Sequence, residues 1–286
     1  MSVPDRHSKD RYPEPKALYI GPWYGEFGHE LMFVAMARAY AEGYDHVTAC
    51  SRASSAALYA DFADEFIAHD IQCEPAMAGT THETVPDRKA LARWIPPATE
   101  ADRFPGHVYS GNEPIVSRRY GQQVEREEGL VVVHARNRVK HVPTRNWSQS
   151  QWNRLARLMV KEGIAKRVVC VGLPDTARMV EGALDMRDAP LPEQMDILAA
   201  AQLAIGPSSG PMHLAQHCGC PVVVWCGGGA AERHRTAMRY LATWNPFHAP
   251  ACATEYASWN PSVETVWGWV VELLPTLTPA PVAVGE

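Results

Sequence analysis

The chain has no long apolar run. None of its hydrophobic stretches approaches the roughly 20 residues that a membrane-spanning helix needs. Residues 1–16 are polar and proline-containing and have no apolar signal core. They are expected to form a disordered lead-in to a cytoplasmic protein. Net basic charge is also missing, since 27 Lys and Arg face 32 Asp and Glu and leave −5 at neutral pH. That balance argues against a broad nucleic-acid footprint, although it permits a local basic stripe. The 7 cysteines are scattered and odd in number, which argues against a secreted disulfide framework. No DxD-like pair of carboxylates stands at a strand end. What is present, 46% hydrophobic and 21% charged residues over 286 positions, fits a soluble globular chain with one large or two small domains.

Apolar periodicity gives the order of elements. Residues 17–20 read as a short buried strand, and 21–28 as a loop with three glycines. Leu31, Met32, Ala35, Met36 and Ala39 then recur at helical spacing, with Gly43 as the stop. A strand over 46–50, a second amphipathic helix over 54–69 and a short strand over 71–73 complete a Rossmann-like start. Residues 74–128 are rich in Pro, Thr, Arg and Asp and weakly periodic. Short elements are expected there, with a small helix near 88–94, in the place where acceptor-binding insertions would lie.

A second half begins at Leu130 with a strand over 131–134. Ser148 opens a helix, with Gln151 at the capping-box spacing, that runs to about Glu162. A strand over 167–171, a helix over 193–201 and a strand over 203–205 follow. Gly206-Pro207-Ser208-Ser209-Gly210 is a small-residue loop, and Pro211 suits the first turn of the helix after it. A further buried strand covers 222–225, and a last helix covers 262–274 before Pro275. A helix N-terminus carries unpaired N–H groups and partial positive charge, so the 206–210 loop suits a phosphate. His213, one turn inside, adds a donor. The same pattern also fits an ordinary α/β unit with a tight loop.

Ser208-Ser209-Gly210-Pro211-Met212-His213-Leu214-Ala215, followed by Gly219, Pro221 and a β-branched run, resembles the nucleotide-sugar loop of the family-nine glycosyltransferases, which include the heptosyltransferases. The likeness covers most of 191–225. The family's loop usually starts with Asp, which falls here on Ser208. The resemblance implies an α/β fold of the GT-B type, with two Rossmann-like domains, an interdomain cleft and a C-terminal helix crossing back to the first domain. On this reading the chain divides into the lead-in 1–16, an acceptor-side domain 17–128, a nucleotide-sugar-binding domain 129–260 and the returning helix 261–286.

Three stretches carry candidate chemistry. In Gly25-Glu26-Phe27-Gly28-His29-Glu30, Gly25 and Gly28 allow close backbone approach to a ligand. The resembled family holds Gly-Asp here, and the Asp takes the acceptor's hydroxyl proton. Glu26 is the corresponding base and His29 the second choice, while Glu30 on the first helical turn favours the dipole. The second stretch, 134–141, contains Arg136, Asn137, Arg138 and Lys140 and is followed by Arg145-Asn146-Trp147. This concentration of cations before a helix would hold a diphosphate, or else it is a solvated basic loop. The third is the 208–213 loop, with Ser208, Ser209, Gly210, Met212 and His213 as donor contacts. His213, His217, Cys218 and Cys220 have metal-ligand chemistry, but the phosphate reading claims His213, so no metal is assigned. Arg233-His234-Arg235 reads as phosphate contact or charged surface. The repeated Trp-Asn-Pro tripeptides at 244–246 and 259–261 read as turns with aromatic packing.

The reading that unites these stretches is a metal-independent, inverting glycosyltransferase with no cofactor besides its nucleoside-diphosphate sugar. Its acceptor is a glycan, a glycolipid or a small molecule, and a nucleic-acid acceptor is disfavoured by the charge. A two-Rossmann nucleotide-sugar epimerase and a non-catalytic nucleotide-sugar-binding protein are the alternatives. Acceptor-dependent release of nucleoside diphosphate separates the three.

Overall fold

The structure, a computed structural model, describes residues 16–71, 91–96, 101–104, 118–138, 145–255 and 258–277. Residues 1–15 of the 1–16 lead-in, and Lys140, lie outside the described residues. A first parallel sheet is built from β1 (Ala17–Ile20), β2 (His46–Arg52), β3 (Glu65–His69) and β4 (Asp102–Phe104), in the order β3-β2-β1-β4. Helix α1 (Phe27–Ala41) joins β1 to β2. Its buried residues Leu31, Met32, Phe33 and Val34 supply much of the local core.

The helix expected over 54–69 does not form. A 3-10 turn (Ala53–Leu58) is followed by β3. Asp64 explains the break. Its carboxylate accepts from the Val47 N–H at 2.8 Å, and its own N–H donates to the Val47 carbonyl at 2.8 Å. This clamp aligns the chain for parallel pairing with β2, and Phe66 and Ile67 suit a strand. Ile71 lies past the end of β3, outside any strand. Of the helix expected near 88–94, residues 91–94 form one turn, closed by the Trp94 N–H on the Leu91 carbonyl.

The second sheet is larger. It comprises β5 (Glu127–Val133), β6 (Arg167–Cys170), β7 (Leu184–Asp185), β8 (Ala201–Pro207), β9 (Val222–Cys226) and β10 (Ala251–Glu255). The order is β10-β9-β8-β5-β6-β7, parallel throughout. Five helices accompany it: α2 (Gln149–Lys161), α3 (Leu191–Ala200), α4 (Gly210–His217), α5 (Ala230–Met238) and α6 (Val263–Leu273). A π-helical turn (Arg239–Thr243) extends α5. Ser148 caps α2 with the reciprocal Gln151 bond that the sequence spacing predicts.

Both faces of the sheet's centre are covered, so 130–133, 203–205 and 222–226 read as unbroken apolar runs rather than alternating ones. Leu130 and Val132 of β5 face one core, and Val131 and Val133 face the other. The second core contains Trp147, Trp152 and Trp225, whose ring centroids lie 4.9–5.9 Å apart.

Helix α6 packs on that tryptophan face. Val263, Val266, Val270 and Leu273 are all buried in the same cluster. Residues 263–273 therefore do not cross back to the first sheet, contrary to the expectation from the family. The physical reason is the apolar stripe itself: burying each of those side chains is worth about 1.5–3 kcal/mol, and the second sheet offers the matching surface.

The first core runs through both halves without interruption, joining Leu18, Ile20 and Phe33 to Val132, Met195, Leu214 and Val224. Tyr120 straps the connection between the sheets. Its N–H donates to the His217 carbonyl at 2.9 Å, its hydroxyl donates to the Leu58 carbonyl at 3.2 Å, and Arg38 donates to that hydroxyl at 3.2 Å.

Candidate active site

The loops after β1 and β8 each turn into a helix, and the two helix starts meet. A Cβ placed on Gly28 of α1 would lie 3.2 Å from the Gly210 Cα. One placed on Gly210 would lie 2.9 Å from a Phe27 ring carbon and 3.2 Å from the Gly28 nitrogen. A methyl at either position would press on the other helix start, so the two glycines favour this close approach. Where an open cleft is expected, the halves thus touch at the two helix N-termini. Neither N-cap residue, Glu26 or Ser209, bonds its side chain back to its own helix. The free N–H groups and dipole ends of both helices thus add at one place.

Around the start of α4 the loop is held by Tyr240. Its hydroxyl accepts the Ser209 N–H at 3.2 Å and lies 3.3 Å from the Ser208 hydroxyl and from the Ser209 carbonyl. Ser208, where the resembled family carries Asp, is therefore a neutral partner of a tyrosine. The Ser209 hydroxyl is buried and has no partner. His213 is 6% exposed, stacks on Tyr240 at 4.2 Å and meets the Trp244 edge at 4.6 Å. Burial, then the charge of Arg239 and the nearby His217 and His29, hold its imidazole well below the usual range. It is neutral at pH 7, and its Nδ1 has no partner. Met212 does not face the junction. The residue is 1% exposed, and its side chain belongs to the core and packs on Gly206.

The cationic loop reaches the same place from the end of β5. Arg138 pairs with Glu26 across the two halves at 3.3 Å, with side-chain exposures of 32% and 44%. Arg136 is buried, and its guanidinium donates to the Asn146 side chain. Burial, with Arg138 and Arg145 adding to it, pushes the Arg136 pKa down to about 10, which Glu26 partly opposes. Arg145 lies 3.3 Å from Glu232 and stacks over Trp259 at 4.0 Å, while its Nε is buried without a partner. Burial pushes its pKa down as well. Mutually repelling guanidinium groups and orphaned donors are what an anion would neutralise. Asn137 joins the loop through its backbone, its N–H donating to the Thr176 carbonyl at 2.6 Å. Gly25 is buried directly before Glu26.

The acids of α1 have separate roles. Glu30 is fully buried and accepts hydrogen bonds from Ser51, Ser55 at 2.8 Å, Tyr59 at 3.1 Å and Arg52 at 3.0 Å. It ties α1 to β2 and the 3-10 turn, a structural role that the dipole reading of the sequence did not foresee. Glu26 keeps its carboxylate at the junction. His29 sits near it, and its imidazole is held below the usual range by burial, opposed by Glu26 and aided by Arg239.

His213, His217, Cys218 and Cys220 do not assemble a ligand set. Among the described residues no group of three or more His, Cys, Asp or Glu is arranged to hold a metal ion. Burial pushes His217 down to about 3 and the Cys220 thiol up to about 12, as suits neutral core groups. Arg233 donates to the Gly228 carbonyl at 2.6 Å. Asn146, Arg239, Tyr240 and Trp244 were missed as site residues. Asn146 stood in view beside Arg145 and Trp244 in the Trp-Asn-Pro repeat, read only as a turn with aromatic packing, but Tyr240 lies in a stretch with no motif.

No protein-family model matches the sequence, and no curated protein matches it. Solved structures do. A glycosyl transferase family 9 protein from Veillonella parvula superposes with a TM-score of 0.57 at 12% identity, covering 92% of this chain and 97% of that one. The fold is that of the family-nine glycosyltransferases. The E. coli ADP-heptose lps heptosyltransferase II gives 0.54 at 14% identity over 91% and 99% of the two chains. The dodecameric iron-containing heptosyltransferase TibC, in complex with ADP-D-β-D-heptose, gives 0.53 at 15% identity over 92% and 77%. A shared fold hosts many chemistries, so the roles in this family-nine-like chain follow from the side chains at its junction.

Proposed function

We propose that the protein is a metal-independent, inverting glycosyltransferase that moves a sugar from a nucleoside-diphosphate sugar to a hydroxyl acceptor. The observation that carries this reading is the junction of two uncapped helix N-termini, ringed by Arg136, Arg138 and Arg145 and holding the Glu26 carboxylate. An anion site and a base in contact are the two parts such a transfer needs. Arg138, Arg145, the Ser209-Gly210 backbone and His213 hold the diphosphate. Glu26 takes the proton of the acceptor hydroxyl, whose oxygen attacks the anomeric carbon from the face opposite the leaving group. The bond to the diphosphate oxygen breaks, and its electron pair leaves with the nucleoside diphosphate, stabilised by the arginines and helix N–H groups. One displacement inverts the anomeric centre. Fixed cations do the work that a divalent ion does elsewhere. Because the diphosphate competes with Glu26 for Arg138, donor binding also frees the base. The half containing α1 serves the acceptor and the half containing α4 serves the donor.

The test has two stages. A nucleotide-sugar panel is screened by thermal shift, with ADP-sugars first because TibC was solved with one, since a ligand that binds only the folded state raises the melting temperature. Release of nucleoside diphosphate is then followed with and without hydroxyl acceptors in excess EDTA. Acceptor-dependent release is expected. Release of an isomerised sugar without acceptor, or a strict demand for manganese or magnesium, overturns the proposal.

A further inference from the structure

We infer that Arg239 is a further ligand for the substrate's diphosphate, reaching it from the π-helical turn on the His213 side of the junction. The inference rests on the reading of that junction as a diphosphate site. The turn Arg239–Thr243 follows α5 directly, and the Trp244 N–H closes it on the Arg239 carbonyl at 2.8 Å. Turns of this kind are rare in helices and re-aim the side chains that they carry. Here the turn lays the Arg239 guanidinium over the Trp244 ring at 4.3 Å. The same indole meets His213 at 4.6 Å and His29 at 6.3 Å. Arg239, the α4 histidine and the α1 histidine thus share one ring.

The guanidinium lacks the partner that its neighbours have. Arg138 has Glu26 and Arg145 has Glu232. Among the described residues no carboxylate lies within ion-pair distance of Arg239, and its Nε is buried without a hydrogen bond. Its charge bears on His29 and on His213 and helps to keep both neutral. A cation left without an acid beside two imidazoles and two helix N-termini is stabilised by an incoming anion. Stacking on Trp244 fixes the plane of the guanidinium, so its free edge is preorganised for bidentate contact with phosphate oxygens. Arg138 and Arg145 would then hold the diphosphate from the Glu26 side and Arg239 from the His213 side.

Calorimetry of the full chain tests this, with ADP, GDP and UDP, their monophosphates, and pyrophosphate as a probe that needs no base pocket. R239M keeps an apolar stem over Trp244 and removes the charge. The expected result is a loss of about tenfold or more for the diphosphates and pyrophosphate, the scale of a charge-assisted bond, with monophosphates changed by less than about threefold. R239K keeps the charge but neither the planar fork nor the stack, so it should recover only part of the loss. Equal weakening of mono- and diphosphates, or unchanged binding in R239M, overturns the inference. If R239M melts early, R239K decides alone: pyrophosphate and the diphosphates should weaken more than the monophosphates, and equal or unchanged binding overturns the inference. Pyrophosphate binding that needs Arg239, in a chain that binds no nucleoside diphosphate, upholds the anion ligand and overturns the glycosyltransferase reading. Wild-type protein that binds neither overturns both.

Discussion

The two helix starts at the junction share a backbone design and differ in chemistry. Each follows a parallel strand and places a glycine against the other. The α1 start is acidic, with Glu26 and Glu30. The α4 start has no acid in its first turn and has Ser209, His213 and Tyr240 about it. The lesson is that a helix N-terminus supplies a generic positive end, while the side chains around it decide whether a group there is held, titrated or left to react. The same contrast exists within α1 alone. Glu30 is saturated by hydroxyl and guanidinium donors in the core, and Glu26 faces arginines at the surface.

Removing the proposed base should have the largest effect. Glu26→Gln should lower the transfer rate by about 100-fold or more while donor binding persists. Near-normal transfer moves the base to His29, and loss of donor binding makes Glu26 an organiser of the loop. Next come the groups proposed to hold the diphosphate. Arg145→Met and His213→Ala should each weaken diphosphate binding by about 1–3 kcal/mol in calorimetry while leaving nucleoside binding alone. Equal weakening of nucleoside and diphosphate makes these residues structural.

Acid should strain the second half. Burial holds His134 near 4 and His217 near 3, whereas unfolded imidazoles titrate near 6.5. The unfolded chain therefore binds more protons below that value. Stability is full above about pH 6.5 and falls by about 1.4 kcal/mol per group and pH unit down to those lower values. Melting curves from pH 7 to 4 check this, and His134→Asn should flatten the slope. Glu30→Gln, by contrast, should destabilise the fold by about 1–3 kcal/mol and leave donor affinity unchanged. The smallest effect is expected from Gly28→Ala, whose new methyl presses on Gly210 at 3.2 Å. It should lower the melting temperature by the equivalent of about 1 kcal/mol.

The parallel strands of the second half were legible because β5, β8 and β9 are unbroken apolar runs. So was the α2 cap, whose Ser148–Gln151 spacing has a local cause. Strand β3 was misread because its partner β2 decides its conformation through Asp64, 17 residues away from Val47. Strands β7 and β10 carry little branched apolar sequence and exist through edge pairing. At the site, Glu26 and His213 were visible as chemistry close to glycines, and Arg138 as one of a run of cations. The burial of Met212 was not, because an apolar residue beside a ligand loop and one beneath it look alike in sequence. Arg239 was hidden in a charged helix, and only the π-helical turn shows where it points.

The uninterrupted core beneath α1 and α4 has a consequence for engineering. In proteins whose two lobes are separate bodies, one lobe can be exchanged for a relative's to change specificity. Here Leu18 and Ile20 of one sheet and Val132 and Val224 of the other belong to a single apolar cluster, strapped by Tyr120. Neither lobe would keep its shape without the other, so a new specificity has to be grafted loop by loop, and heating should show one cooperative transition for the pair.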